Sequence, residues 1–399
     1  MARRVAVVGI GQTKFEARRA DKTFFQLAYE AFVAALHDAG QENSGVVDSL
    51  VVPTWNDIYS KQISPEDYVY DECGMNPKPG TRIAGGGATG GVGFRVGAME
   101  VASGYSDVTC VVATEKVADL KRPEDRSGTG EILKVMAYII DNNFSGGIGL
   151  TGFSAFALHI QRHMYEYGTT EEQMAKVSVK NHRNGLHNPF AHGGSNITVE
   201  DVMKSRMVAT PYKLLDCCLY SEGACAVILA SEDVVDKFPK KPVWLTGVGL
   251  GTAATRVGDR PVELRSGYPG YEAAARRAYK MAGITNPMME LDLAEVHDAF
   301  TGVEIMTYEA LGFCDKGDGG KLIDRGVTEM AGELPVNPSG GLIGCGHPVA
   351  VTGVWQVAEA ARQIRGEAGA RQVDGARRVL TQNAGGPSMS NSTVFVFEG

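Results

Sequence analysis

The sequence predicts an α/β protein in which a layered sheet is covered by helices. Strand-like and helix-like stretches alternate along most of the 399 residues, the signature of that class. The same strand–helix–strand order returns in the second half, a weak internal repeat. Many of the fifty glycines cluster at 85–93, 146–149, 340–346 and 385–386. Glycine between apolar runs marks places where backbone approaches backbone.

The elements follow in order. An apolar strand at 5–10 precedes a helix over 23–37, where Phe24, Leu27, Ala28, Ala31 and Ala35 form a core-facing stripe. The helix stops at Asp38-Ala39-Gly40, with glycine in its usual place past the end. A strand follows at 47–52. The second half replays this with a strand at 243–247, a helix at 270–281 and a strand at 291–296. The glycines at 85–93, a helix at 94–103 and a strand at 108–113 match the glycines at 340–346, a helix at 352–365 and a strand at 378–381. Residues 117–215 interrupt the repeat and read as an insertion. The expected division is therefore 1–116 with 216–240, the insertion 117–215, and 241–399.

A dinucleotide-binding reading fails at its own motif. Gly9-Ile10-Gly11 follows the first strand, but the third glycine would fall at Lys14. Hydrophobic residues make up 44% and charged residues 22%, as in soluble globular proteins, and the net charge of −8 argues against a nucleic-acid partner. No apolar run reaches the ~18 residues of a membrane span. Seven scattered cysteines, no CxxC pair and no cleavage-site pattern at the N-terminus point to reduced thiols, a cytoplasmic protein and no zinc site of its own.

Three glycine-framed segments carry the chemistry: His297-Asp298-Ala299-Phe300, the run from Asn337-Pro338-Ser339-Gly340-Gly341 to Gly346-His347-Pro348, and Gln382-Asn383-Ala384-Gly385-Gly386. Their order and spacing resemble the thiolase superfamily, in particular its archaeal and sterol-carrier-type branch. The resemblance extends through residues 181–192 and 214–230. It implies the thiolase fold, with two βαβαβ-ββ halves forming a layered αβαβα core that carries an inserted loop domain.

By the same resemblance, His347 stands where the family keeps the histidine that activates a thiol. An imidazole with an ordinary pKa near 6.5 suits that proton transfer. His297 would hold a water or donate to a thioester oxygen, and Asp298 would orient the site or cap the following helix. Lys180, His182 and Arg183 are the candidates for the nucleotide end of CoA. Residues 144–156 would wall the acyl pocket.

Two departures shape the expectation. The family's acylated cysteine is matched by Gly87, in Gly85-Gly86-Gly87-Ala88-Thr89-Gly90-Gly91, so no acyl-enzyme forms there. The backbone N–H groups of Gly87 and Ala384 remain as an oxyanion hole. The family's second cysteine is matched by Gln382. Either Cys345 is recruited as nucleophile or the thiol of CoA attacks directly, and the setting of Cys345 in the loop that presents His347 favours direct attack. Cys217, Cys218 and Cys225 read as core.

The expected activity is thiolytic cleavage, or formation, of a C–C bond in a β-ketoacyl-CoA, with CoA a substrate and no bound cofactor or metal. A retro-aldol lyase acting on a β-hydroxyacyl-CoA is the second reading, and a non-catalytic acyl-CoA-binding subunit the third. Relatives of this kind imply a homodimer and a small zinc-ribbon/OB-fold partner subunit.

Overall fold

The computed structural model describes residues 3–118, 132 and 135–399, so the stretch of the expected insertion from 119 to 134 lies, apart from 132, outside the described residues. Nine strands form one sheet: β1 (Val5–Gln12), β2 (Ser49–Pro53), β3 (Gly80–Ile83), β4 (Val108–Glu115), β5 (Gly223–Ser231), β6 (Val243–Thr252), β7 (Leu293–Glu295), β8 (Arg378–Gly385) and β9 (Asn391–Glu398). Their order is β3-β2-β4-β5-β1-β6-β9-β8-β7.

That order is a mirrored duplication. β1 pairs antiparallel with β5, and β5 with β4, while β2 runs parallel to β4. In the second half β6 pairs antiparallel with β9, β9 with β8, and β7 runs parallel to β8. Even the edge strand β3 has a counterpart, reduced to one parallel bridge between Ala294 and Val336. The halves meet at β1 and β6, through the pairs Ala6–Trp244 and Val7–Val243.

Seven helices bear on the site: α1 (Phe24–Asp38), α2 (Thr89–Ser103), α3 (Gly152–Tyr167), α4 (Glu171–Gly185), α5 (Pro269–Ala282), α6 (Thr301–Ala310) and α7 (Thr352–Arg365). α1 packs on β1, β4 and β5, and α5 on β6 and β9, one helix for each half. α2 and α7 touch each other and strands of both halves, so they form the middle layer. Residues 352–364 of α7 are all buried, as a helix enclosed on every side must be.

Of the boundaries that differ from the sequence expectation, two place site residues. α2 begins at Thr89 and not at 94, because its glycines meet the α7 backbone: a Cβ on Gly90 would lie 2.7 Å from the Gly353 nitrogen. Close helix contact outweighs the low helix propensity of glycine here. β8 runs on to Gly385, since Gln382, Asn383 and Ala384 continue the pairing with β9. The glycine-rich segments thus become ordered elements.

Candidate active site

Four elements of the two halves deliver their ends to one place. His297 follows β7, Ala384 lies near the end of β8, Gly87 sits in the 3-10 turn Gly86–Ala88 before α2, and His347 precedes α7. All four line a cavity of about 540 Å³. Its remaining wall is largely apolar and includes six aromatic side chains, Trp55, Tyr138, Phe153, Phe156, Tyr220 and Phe300. A pocket with an apolar wall and a few convergent polar groups is the usual form of a small-molecule site.

The two imidazoles touch edge to face, ring centroids 5.2 Å apart and planes at 90°. The backbone N–H of His347 donates to the Leu219 carbonyl at 2.8 Å, anchoring the residue to the segment before β5. Its Nδ1 lies 2.7 Å from the Thr352 hydroxyl, which itself donates to the Pro348 carbonyl at 3.2 Å. With the hydroxyl proton donated to Pro348, Nδ1 of His347 donates to the Thr352 oxygen and Nε2 keeps a lone pair, the tautomer that a base requires. Burial pushes the His347 imidazole down to about 3, so the ring is neutral. It is a base in waiting.

His297 is held by its backbone N–H, which donates to Gln382 Oε1 at 2.9 Å, and by a 2.9 Å contact between its Nδ1 and Asn383 Nδ2. Burial, and then the neighbouring His347, hold its pKa well below the ordinary histidine value. Gln382, which the resemblance sets at the place of the family's second cysteine, does not line the cavity. It fixes the backbone of His297.

Asp298 does not cap the helix that follows it. Its carboxylate accepts the N–H groups of Leu342 at 2.6 Å and Ile343 at 3.2 Å, at the start of the turn Gly341–Gly344, and the Asn181 amide at 2.8 Å. It thereby ties the His297 segment to the loop that ends in His347.

Several expected site residues lie elsewhere. Lys180 is buried inside α4, paired with Glu304 and donating to the Val336 carbonyl at 3.0 Å, so it offers no surface charge to a nucleotide. His182 is buried, with Nδ1 2.9 Å from the Gly193 carbonyl. Arg183 is exposed but paired with Glu329. None of the three lines the cavity. Cys345 is fully buried beside the Asn188 amide and also misses the cavity, and burial raises its thiol far above the usual range. Cys217 and Cys218, read as core, instead line the cavity. Burial raises Cys217 to about 12 and Cys218 well above its ordinary value, so both stay as thiols near neutrality.

At Gly87 the turn is pressed against the end of β8: an added Cβ would sit 2.7 Å from the Ala384 carbonyl oxygen. Of the expected acyl wall, Gly152, Phe153 and Phe156 line the cavity, whereas Phe144 is exposed under the Arg256 guanidinium. Trp55, Tyr220 and Asn383 were missed. For Asn383 the signal was present, as it stands inside a quoted motif. Among the described residues, no group of three His, Cys, Asp or Glu side chains is arranged to hold a metal.

Comparison with known proteins supplies the family context. Residues 265–398 match the family described as thiolase C-terminal domain-like. The chain is 40% identical to acetyl-CoA acetyltransferase of Methanothermobacter thermautotrophicus, over 96% of this chain and 97% of that protein. It is 32% identical to sterol carrier protein 2 of Oryctolagus cuniculus, over 96% of this chain and 70% of the other. Among solved structures, the Ltp2-ChsH2(DUF35) aldolase superposes with a TM-score of 0.82 at 28% identity, covering 99% of this chain and 98% of that one.

Proposed function

The chain belongs to the thiolase superfamily, has the thiolase fold and is an acyltransferase of that type; from that premise we propose that it cleaves a β-ketoacyl-CoA with the thiol of CoA itself as nucleophile. The observation that carries this is the pair of neutral imidazoles in contact at a cavity that Gly87 also lines, Gly87 being the residue that the resemblance sets at the place of the family's nucleophile. Nε2 of His347 takes the proton of the CoA thiol, and the thiolate attacks the β-keto carbon. The C–C bond breaks toward the thioester, whose oxygen takes the developing negative charge beside His297 and the backbone N–H groups of Gly87 and Ala384. The proton on His347 then passes to the carbon of the enolate. Two thioesters leave, and the reverse sequence forms the bond.

CoA enters as a substrate and not as a resident group. The partner reading is a homodimer with a small zinc-ribbon/OB-fold subunit, and the two-component name of the aldolase neighbour supports the presence of a second kind of subunit. Among the described residues no helix is long and apolar enough to cross a membrane. The same neighbour favours a second reading, retro-aldol cleavage of a β-hydroxyacyl-CoA, which needs a base and enolate stabilisation but no thiol.

Incubation with β-keto- and β-hydroxyacyl-CoA panels, with and without free CoA, separates the readings by mass spectrometry of products. Two thioesters formed only with CoA are expected. An aldehyde or ketone released without CoA selects the lyase, and no turnover by the assembled complex leaves a binding subunit. In the active protein His347→Ala should lower kcat by roughly 10²–10⁴-fold with the fold intact, the range for losing a general base.

A further inference from the structure

We infer that Asn383 is a positioning residue that sets the His297 ring in the tautomer opposite to that of His347, so that one imidazole accepts a proton while its neighbour donates a hydrogen bond. The inference rests on the proposed function for what the donor does, but its geometry stands alone. It begins at the start of α2. Gly91 lies in the first turn, where backbone N–H groups have no partner within the helix. Its N–H donates to Asn383 Oδ1 at 3.1 Å. A backbone N–H cannot accept, so this bond orients the amide: the oxygen faces Gly91 and the NH2 faces away.

The NH2 group is directed at His297 Nδ1, 2.9 Å distant. An amide nitrogen can only donate, so Nδ1 must be the bare, accepting nitrogen. In the neutral ring the proton then sits on Nε2, and the His297 backbone is already clamped by Gln382. Among the described residues neither histidine has a protein partner at Nε2, and both rings line the cavity. With His347 protonated on Nδ1, the cavity meets a lone pair on His347 and an N–H on His297. The relay draws one residue from the first half (Gly91) and two from the second (Asn383, His297), so the donor is made only when the halves are docked.

Histidine-selective 15N labelling, with His297 assigned by its loss in His297→Gln, reads the tautomer directly. The wild-type ring is expected to carry its proton on Nε2 and none on Nδ1. In Asn383→Asp the carboxylate still accepts from Gly91 but offers Nδ1 no donor. A proton should appear on Nδ1, and kcat should fall by about 10²-fold, as for a lost oxyanion donor, with KM changed only a few-fold. A proton on Nδ1 in the wild type overturns the proposal, and so does a folded Asn383→Asp variant with wild-type ring signals and kcat. If no acyl-CoA is turned over at all, the functional reading fails, while the ring signals still decide the role of Asn383.

Discussion

An added Cβ at Gly87 would lie 2.7 Å from a backbone oxygen, closer than real side chains approach, so the position is closed as well as empty of a thiol. On the proposed reading, the nucleophile then comes from another residue or from the substrate. Cys345 is sealed in the core behind the cavity, and Cys217 and Cys218, which do face it, are held as thiols by burial. Direct attack requires both substrates to be bound at once, so initial rates should follow a sequential pattern and not the ping-pong pattern of an acyl-enzyme. Cys345→Ser should keep most of the rate, and Gly87→Cys should lower stability by about 1–3 kcal/mol through overpacking. An acylated cysteine peptide recovered at a competent rate during turnover would sink direct attack. At this scale the resemblance to thiolases singled out His297, His347 and Gly87, and the structure brings all three to one cavity. The sequence reading misplaced Lys180 because basic side chains are usually solvated; only packing shows that this one turns inward to Glu304.

Each half supplies one helix to the middle layer, and the contact between α2 and α7 is made by glycine backbones. A Cβ on Gly353 would fall on the Gly91 nitrogen, which is backbone and cannot move aside alone. Gly353→Ala should therefore push the helices apart, costing on the order of 1–3 kcal/mol by the usual overpacking range. Because α2 follows Gly87 and α7 follows His347, kcat should fall with stability. Denaturant melts and initial rates on one preparation test this, and a stable variant of normal kcat would show that the contact does not set the site. The elements themselves were mostly legible, since apolar periodicity survives in α1, α5 and α7. The ends of α2 and β8 were not, because glycine propensity says one thing and the docking of two half-molecules another. Docking is a contact between residues nearly 300 positions apart, beyond any local window.

Across the whole molecule, burial holds some histidines down and some carboxyls up, and five of these groups, three histidines and two carboxyls, pull stability in opposite directions as pH changes. His347 and His159 are held down to about 3 and 4, and His297 lies well below the ordinary 6.5. The unfolded chain binds protons at these three sites as pH falls below 6.5 and the folded chain does not, so acid favours unfolding there. Glu115 and Glu295 are raised to about 8, each by burial first and then by a neighbouring carboxylate, Glu222 and Glu359. The unfolded chain loses those two protons above about 4.5 while the folded chain keeps them, so rising pH favours unfolding until about 8. Between 4.5 and 6.5 three histidines oppose two carboxyls, a net difference of about one proton, so stability still rises with pH, more gently than below 4.5. From 6.5 to 8 only the carboxyls act, and below 4.5 only the histidines, each group contributing about 1.4 kcal/mol per pH unit at full difference. Denaturation midpoints should therefore be highest near about pH 6–6.5 and fall on both sides, and Glu115→Gln or Glu295→Gln should flatten the alkaline fall. A midpoint that climbs from pH 6.5 to 8 would mean that both carboxyls are ionised in the folded protein.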